Sequence, residues 1–228
     1  RPRRVIDPLS CTVVIPCRNE EGNVEAAIDR LPPLGAHTEV IFVDGASTDG
    51  TVSKIEAQMK KHAGVKDIKL IHQAPALVGK AQTRTIMLPQ GKGDAVRQGF
   101  AAARGEVLII LDADLTVPPE DLPKFYEPLA SGTGQFVNGT RLVYPMENEA
   151  MPVLNFFGNK FFSLVFTWLL GQPIKDTLCG TKALLKADYE HLTAGRAYFG
   201  DFDPFGDFDL LFGAARLRLR ILEVPVHY

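Results

Sequence analysis

The sequence contains few cysteines, almost no net charge and no long apolar run. Its three cysteines, Cys11, Cys17 and Cys179, are odd in number and widely spaced. This pattern argues against a disulfide framework and against a zinc site, and it indicates a reducing compartment. The net charge of −2 gives no general attraction to nucleic acid, so no nucleic-acid partner is expected. Without an apolar stretch of about 20 residues, the sequence predicts no membrane-spanning helix.

Two common nucleotide-binding signatures are also missing. No glycine-rich dinucleotide fingerprint follows the first predicted strand, and no Walker lysine loop occurs, which argues against Rossmann dehydrogenases and P-loop enzymes. The first four residues, RPRR, do not have the form of a signal peptide. The 228 residues are 46 % hydrophobic and 23 % charged, which is ordinary for a globular protein with one large domain or two small ones.

What the sequence does contain is a buried strand that ends in acidic residues. Residues 107–111 are five aliphatic residues in a row, typical of a strand covered on both faces in a parallel sheet. Asp112 and Asp114 follow, and ligands of open α/β sheets bind beyond the carboxyl ends of strands. Two carboxylates suit a hard divalent cation that takes its other ligands from phosphates and water. The alternative is a polar turn in which Asp114 caps the segment that follows.

Upstream of this strand, the sequence alternates strands and helices. Strands are predicted at 11–16, which Pro16 ends, and at 39–43, which Asp44 follows. Helices are predicted at about 24–31, 52–62 and 95–104, the last closed by Gly105 as its C-cap. Residues 68–71 and 85–88 are both strand-like, so one is the third strand of the sheet and the other belongs to an insertion or an edge hairpin. This alternation implies a parallel sheet, which brings Pro16, Asp44 and Asp112 to one edge.

Four motifs in this order resemble those of the inverting family 2 glycosyltransferases, and the branch most similar is that of the dolichyl- or polyprenyl-phosphate hexosyltransferases. The motifs are VIPCRNE at 14–20, Val43-Asp44 with STDGT at 47–51, KGDA at 92–95 and LDADL at 111–115. The resemblance covers nearly the whole chain. It implies the α/β fold called GT-A, with a mixed, mainly parallel central sheet flanked by helices. It also implies a single domain over residues 1–228, with a donor-binding half at about 10–116 and an acceptor half at about 135–228.

The resemblance assigns donor-site roles to individual residues. It implies that base and ribose contact Pro16, Arg18, Glu20 and Asp44, and that the remainder of the nucleotide sugar contacts Lys92, Asp112, Ala113 and Asp114. Asp112 and Asp114 would hold Mg²⁺ or Mn²⁺ on the diphosphate. Two places depart from the family pattern. Gly45 and Ala46 stand where the family often has Asp and Gly, and Thr116 stands where several relatives have Gln beside the metal.

Three segments of the second half resemble acceptor-side elements of the family. A predicted strand at 135–141 ends at Arg141, which would face the phosphates; the alternative is an ordinary surface arginine. Asp176 and Lys182 match the Asp-x-x-x-Gly-x-Lys/Arg element, which lines the sugar and acceptor pocket. Asp209, in a helix that runs to Arg216, matches the acidic residue of the Glu/Asp-Leu-Leu element. It is the first choice for a general base that activates a hydroxyl acceptor.

Residues 153–171 are rich in phenylalanine and carry one narrow polar stripe. The stripe consists of Asn155, Asn159, Ser163 and Thr167, which recur every four residues. The pattern predicts an amphipathic helix for the membrane interface or for a lipid tail. The alternative is a core helix between the sheet and the C-terminal segment. With the first interpretation, we expect peripheral contact with the cytoplasmic face of a membrane.

The sequence therefore predicts a metal-dependent inverting glycosyltransferase that moves mannose or glucose from GDP-mannose or UDP-glucose to a polyprenyl or dolichyl phosphate. A lipid phosphate is already an anion, so it needs cationic groups such as Lys182 and Arg141 more than a base. Two alternatives stay open, namely transfer to a saccharide hydroxyl of a cell-surface glycan and a non-catalytic nucleotide-sugar-binding domain. Relatives continue beyond the last predicted strand, at 221–228, with a basic segment, so we expect a truncated C-terminus.

Overall fold

The computed structural model describes residues 8–74, 77–81, 84–87, 91–140, 179–194 and 207–226, together with residues 167, 171, 172, 174 and 176. The strands in these ranges are β1 Cys11–Cys17, β2 Thr38–Asp44, β3 Asp67–His72, β4 Leu77–Ala81, β5 Arg84–Met87, β6 Val107–Ile110, β7 Phe136–Thr140, β8 Lys182–Leu185 and β9 Ile221–Pro225. The helices are α1 Val24–Asp29, α2 Thr51–Lys61, α3 Lys92–Ala102, α4 Pro123–Ala130, α5 Lys186–Ala194 and α6 Asp207–Arg216, and a 3-10 turn spans Pro119–Asp121.

One mixed sheet organises the described part of the chain, with the strand order β3-β2-β1-β6-β8-β7-β9. Strands β3, β2, β1 and β6 are parallel to one another, and β7 is parallel to β9. Strand β8 runs antiparallel to both β6 and β7. The prediction of a mixed, mainly parallel sheet is confirmed. Strands from both predicted halves share this sheet, while the single-domain assignment stays a prediction.

The central strands are apolar on both faces because helices cover both faces. Along β1, Val13 and Ile15 pack in a cluster with α1, α2 and α4, whereas Val14 packs in a second cluster with α3, α5 and α6. Successive side chains of a strand point to opposite faces, so the two clusters lie on opposite sides of the sheet. Each fully buried aliphatic side chain contributes about 1.5–3 kcal/mol. Among the described helices, none has both the length and the apolar character needed to cross a membrane.

The ambiguous strand-like segments are resolved by pairing. Strand β3, which contains residues 68–71, is the third parallel strand, and β4 and β5 form a separate antiparallel pair. The prediction for Gly105 was wrong, because the C-cap of α3 is Ala103, with extended backbone angles. Gly105 is required for a different reason. A Cβ there would stand closer than 3.0 Å to Thr12 N and to the Cys11 carbonyl carbon.

A buried carboxylate ties the first three strands together. Glu39 is 1 % exposed. It accepts hydrogen bonds from Thr12 Oγ1 (2.6 Å), Lys69 Nζ (2.6 Å), and the backbone N (2.8 Å) and Nε (2.9 Å) of Arg104. Burial alone would raise the pKa of Glu39, but these hydrogen bonds outweigh burial and lower the pKa to about 2. Glu39 is therefore ionised in the folded protein at neutral pH.

Candidate active site

The carboxyl ends of β1, β2 and β3 lie level with one another at one edge of the sheet. In register, Cys17 pairs with Asp44, and Asp44 pairs with His72. A cavity of about 160 Å³ opens between these strand ends and the first turn of α3. Its lining includes Pro16, Cys17, Arg18, Gly45, Gln73 and Lys92. Ligands of parallel α/β sheets bind at such an edge, so the cavity is the candidate site.

The loops after β1 and β2 hold each other in place beside the cavity. Asn19 N donates to Ser47 Oγ (2.9 Å), and Asn19 Oδ1 accepts from Thr48 N (2.8 Å). Asn19 (φ 58°) and Ala46 (φ 60°) both have left-handed backbone. That conformation costs a residue with a Cβ about 1–2 kcal/mol, although Asn tolerates it better than Ala. Glycine, which the resemblance described above implies at the position of Ala46, would adopt this conformation without strain.

Asp112 is paired with the lysine that begins α3. Lys92 Nζ lies 2.5 Å from Asp112 Oδ1, and the two side chains are 27 % and 23 % exposed. A Cβ on Gly180 would stand closer than 3.0 Å to both groups, so this glycine leaves the space that the ion pair occupies. Because Lys92 also lines the cavity, the ion pair connects the cavity to the acidic turn after β6.

The rest of the acidic turn is compact. Leu115 N donates to Asp112 O (3.0 Å), and Leu115 has a left-handed φ of 54°. Asp114 is exposed, and its Oδ1 accepts from Thr116 N (3.0 Å) and from the Thr116 hydroxyl. Ala113 is buried in the core. No group of three or more His, Cys, Asp or Glu side chains that could hold a metal occurs among the described residues. A cation bound to Asp112 and Asp114 would therefore need ligands from its substrate and from water.

The residues predicted for the base and ribose occupy different positions around this edge. Pro16 and Arg18 line the cavity. Asp44 is 3 % exposed, and its carboxylate accepts from Ser47 N (3.1 Å), so it stabilises the loop after β2. Glu20 is half-buried and accepts from Asn23 Nδ2 (2.8 Å). Of the predicted donor-site residues, Pro16, Arg18 and Lys92 line the cavity. Asp112 is next to the cavity because it forms an ion pair with Lys92.

The predicted acceptor-side residues are less accessible. Asp176 and Lys182 are completely buried. Asp176 N donates to Glu223 Oε1 (3.2 Å), and Lys182 Nζ donates to the Cys179 carbonyl. Arg141 lies outside the described residues. Asp209 lies in the first turn of α6, and the structure describes its backbone but not its side chain. Most of the Phe-rich segment at 153–171 also lies outside it, and the roles of all these residues stay predictions.

Three residues of the site were missed from the sequence: Asn19, Gln73 and Gly180. Asn19 and Gly180 belong to predicted motifs, but their contacts join separate segments, so local sequence could not show them. Gln73 directly follows β3, and Asp44 is the last residue of β2, so both lie at the carboxyl ends of neighbouring strands. Cys17, in contrast, is no candidate nucleophile. Burial, followed by the charges of Asp44, Glu20 and Asp49, raises the pKa of its thiol to about 12.

Comparison with known sequences places this arrangement in a family. The family model described as "Glycosyl transferase family 2" matches residues 12–88 and 73–192. The chain belongs to glycosyl transferase family 2. Dolichol-phosphate mannosyltransferase of Saccharomyces cerevisiae is 32 % identical over 138 residues, which are 58 % of this chain and 45 % of that protein. Dolichyl-phosphate beta-glucosyltransferase of Drosophila melanogaster is 29 % identical over 242 residues, covering 96 % of this family 2 chain and 67 % of that one.

Solved structures confirm the GT-A fold for this family 2 member. Glucosyl-3-phosphoglycerate synthase from Mycobacterium tuberculosis, in complex with Mn²⁺ and UDP-glucose, superimposes with a TM-score of 0.67 at 24 % identity, over 96 % of this chain and 70 % of that one. A mannosyltransferase from Pyrobaculum calidifontis, in complex with GDP-Man and Mn²⁺, gives a TM-score of 0.60 at 21 % identity, over 99 % and 57 %. The chain spans less than half the length of the yeast relative.

Proposed function

We propose that this protein is a metal-dependent inverting glycosyltransferase that transfers a hexose from a nucleoside diphosphate sugar to a polyprenyl or dolichyl phosphate. The observation that carries the proposal is the cavity at the ends of β1, β2 and β3, which borders the Lys92–Asp112 pair. The nucleoside end of the donor would occupy this cavity, and its diphosphate would extend toward Asp112 and Asp114. Membership of family 2 supports the reaction type.

The acidic turn fits a divalent cation. Asp112 and Asp114 supply hard oxygen ligands from one turn, and the absence of a side chain on Gly180 leaves room for the Asp112 carboxylate. These two residues would hold Mg²⁺ or Mn²⁺, and the ion, when bound, would offset the negative charge that grows on the departing diphosphate. The related structures contain Mn²⁺ with UDP-glucose or GDP-Man, which supports this choice of cation and of donor.

Lys92 places a positively charged side chain beside the acidic turn. In the absence of a donor, its ammonium group lies against Asp112 and keeps that carboxylate oriented. When a diphosphate enters, the same ammonium can contact phosphate oxygens, because Lys92 also faces the cavity. Lys92 is the first residue of α3, so the positive end of the helix dipole adds to its charge. Both effects stabilise an anionic leaving group.

The acceptor is proposed from the relatives and from the Phe-rich segment. The yeast and fly relatives are named for dolichol-phosphate mannosyl transfer and dolichyl-phosphate glucosyl transfer. If residues 153–171 form the amphipathic helix that their sequence predicts, its aromatic side chains suit a lipid tail and peripheral contact with the cytoplasmic face of a membrane. The burial of Lys182 favours a second candidate, because a buried ammonium bound to a carbonyl is less available to a lipid phosphate. That candidate is transfer to a saccharide hydroxyl, with Asp209 as general base.

The experiment is transfer of labelled sugar from GDP-mannose and from UDP-glucose to a short-chain prenyl phosphate, with Mn²⁺ and detergent. We expect a labelled lipid, and we expect Asp112→Asn to abolish it. Asp29→Asn is the matched control, because Asp29 pairs with Lys61 at an exposed surface and is expected to leave transfer unchanged. Labelling of a soluble glycan without any labelled lipid would reassign the acceptor. Donor binding without transfer to either acceptor would indicate a non-catalytic domain.

A further inference from the structure

Strands β4 and β5 form a hairpin that interrupts the chain between β3 and α3. Within the described ranges they pair only with each other, and neither makes extensive contact with another strand or helix. A two-stranded sheet is only marginally stable in water by itself, and it becomes stable when one of its faces packs on something apolar. The hairpin therefore calls for a partner beyond the strands and helices that the structure describes.

Both ends of this hairpin are attached at the start of α3. Before β4, Ala74 N donates to Gln98 Oε1 (3.0 Å), and Gln98 Nε2 donates to Ala74 O (3.2 Å). After β5, Gly91 O accepts from Gln73 Nε2 (3.1 Å). Leu77 is the third residue after Ala74, so β4 starts within about 11 Å of Ala74, the reach of a fully extended chain. The hairpin therefore begins close to the edge of the cavity that Gln73 and Gly91 line.

The register of the hairpin assigns apolar positions to both of its faces. Leu77 pairs with Met87, and the next pair along the hairpin is Val78 with Ile86. Because neighbouring residues of a strand alternate between the two faces, each face carries one of these apolar pairs. Only one face can lie against the body of the protein, so the other face is left for an apolar partner.

The charge of the hairpin favours an anionic lipid surface as that partner. Residues 73–91 contain two of the chain's 25 Lys and Arg residues, Lys80 and Arg84, and none of its 27 Asp and Glu residues. Acidic phospholipid headgroups attract these cations, whereas the hairpin of a second copy would present the same cations and repel them. The net charge of the chain is −2, so attraction to such a surface has to come from a local basic segment of this kind.

We infer that the β4–β5 hairpin docks on an anionic membrane surface, with the apolar pair of one face in the interface and Lys80 and Arg84 among the phospholipid headgroups. This contact is separate from the one predicted for residues 153–171. Because the ends of the hairpin flank the cavity, docking brings the candidate site to the surface at which a lipid phosphate lies. The inference rests on the proposed function in this respect, and it adds which side of the molecule faces the membrane.

The test is co-sedimentation of the full chain with vesicles of equal parts phosphatidylserine and phosphatidylcholine, and with vesicles of phosphatidylcholine alone. We expect tighter binding to the anionic vesicles, and weaker binding as salt is added, because salt screens the headgroup charge. Lys80→Gln and Arg84→Gln together are expected to weaken binding to the anionic vesicles about 25-fold, at about 5-fold for each cation. Ile86→Ser and Met87→Ser each change one face, and the variant on the docking face is expected to weaken binding at least about 10-fold.

A matched control removes the same two charges at the opposite edge of the sheet. Lys60→Gln and Lys61→Gln together change the exposed last turn of α2, which leads from the carboxyl end of β2 back to the amino end of β3. This control is expected to bind anionic vesicles within about 2-fold of wild type. The Lys80 and Arg84 double variant is expected to keep sugar transfer in detergent, because neither residue belongs to the candidate site, and this also shows that the variant folds.

The outcomes separate the inference from the proposed function. Weaker vesicle binding in the charge variant and in one apolar variant, with the control unchanged, supports the hairpin as the docking surface. If wild type does not bind anionic vesicles, or if the hairpin variants bind them as wild type does, the inference is overturned. A changed oligomeric state of Ile86→Ser or Met87→Ser with unchanged vesicle binding also overturns it, and assigns the hairpin to a second copy. Failure of the proposed function is seen elsewhere, as the absence of labelled lipid when wild type is assayed in detergent.

Discussion

Replacing Glu39 by Gln removes a buried negative charge from the donors that surround it. Thr12, Lys69 and Arg104 together place four hydrogen-bond donors within 2.9 Å of its two oxygens. A Gln side chain has one acceptor oxygen, and its amide nitrogen would meet a donor instead of accepting from it. The variant therefore loses charge-assisted hydrogen bonds and leaves the buried Thr12 hydroxyl and the half-buried Lys69 ammonium poorly matched.

The magnitude follows from the pKa of Glu39. Its pKa is about 2 in the folded protein, against about 4.3 for an ordinary Glu. At 1.36 kcal/mol for each tenfold change in acidity, the ionised form stabilises the fold by about 3 kcal/mol, as an order of magnitude. Because the folded pKa is depressed, this contribution is fully present above about pH 4.3 and is lost as the pH falls toward 2.

Urea unfolding at a series of pH values measures the effect. Glu39→Gln is expected to lower the free energy of unfolding by about 3 kcal/mol at pH 7, and the difference from wild type is expected to shrink between pH 4.3 and pH 2. Glu120→Gln is the control, because Glu120 and its partner Arg30 are exposed, and a much smaller loss is expected. Equal losses in the two variants, or a Glu39 effect that does not change with pH, would refute the reasoning.

Three further predictions concern single backbone positions. Ala46→Gly is expected to raise the free energy of unfolding by about 0.5–1 kcal/mol in urea, because φ is 60° there and glycine adopts it without strain. Gly180→Ala is expected to weaken Mn²⁺-dependent GDP or UDP binding at least about 10-fold in calorimetry, because the methyl group displaces Asp112, whereas Gly22→Ala, in open space, has no effect. Gly105→Ala is expected to lower the free energy of unfolding by about 1–3 kcal/mol, because its Cβ meets the backbone of β1.

The donor half of the fold could be predicted because its signals are local. The apolar runs before Asp44 and Asp112 exceed what a strand with one wet face carries, so they predict burial on both sides, and β2 and β6 have it. The choice between 68–71 and 85–88 could not be made in this way. Both segments have the same local pattern, and only the pairing of β3 with β2 distinguishes them.

The features that the sequence could not show arise where a residue is explained by a distant segment. A glycine just after a helix is typical of a C-cap, but Gly105 is required because β1 passes close to it. Lys92 and Asp112 were each predicted for the donor site, yet their ion pair, and the space that Gly180 leaves for it, depend on three segments that meet only in the fold. Lys182 was expected near phosphates because of its motif, and its complete burial is a property of the sheet.

The same strands carry stabilising contacts at one edge and strained residues at the other. At the amino ends of β1, β2 and β3, Glu39 collects four hydrogen bonds. Beyond the carboxyl ends of β1, β2 and β6, Asn19, Ala46 and Leu115 account for three of the four left-handed non-glycine residues in the described ranges. Strained backbone persists only where surrounding structure holds it, and the hydrogen bonds between the two loops provide that support here. Stability contributed at the Glu39 edge thus permits strained loops at the opposite edge, beside the candidate site.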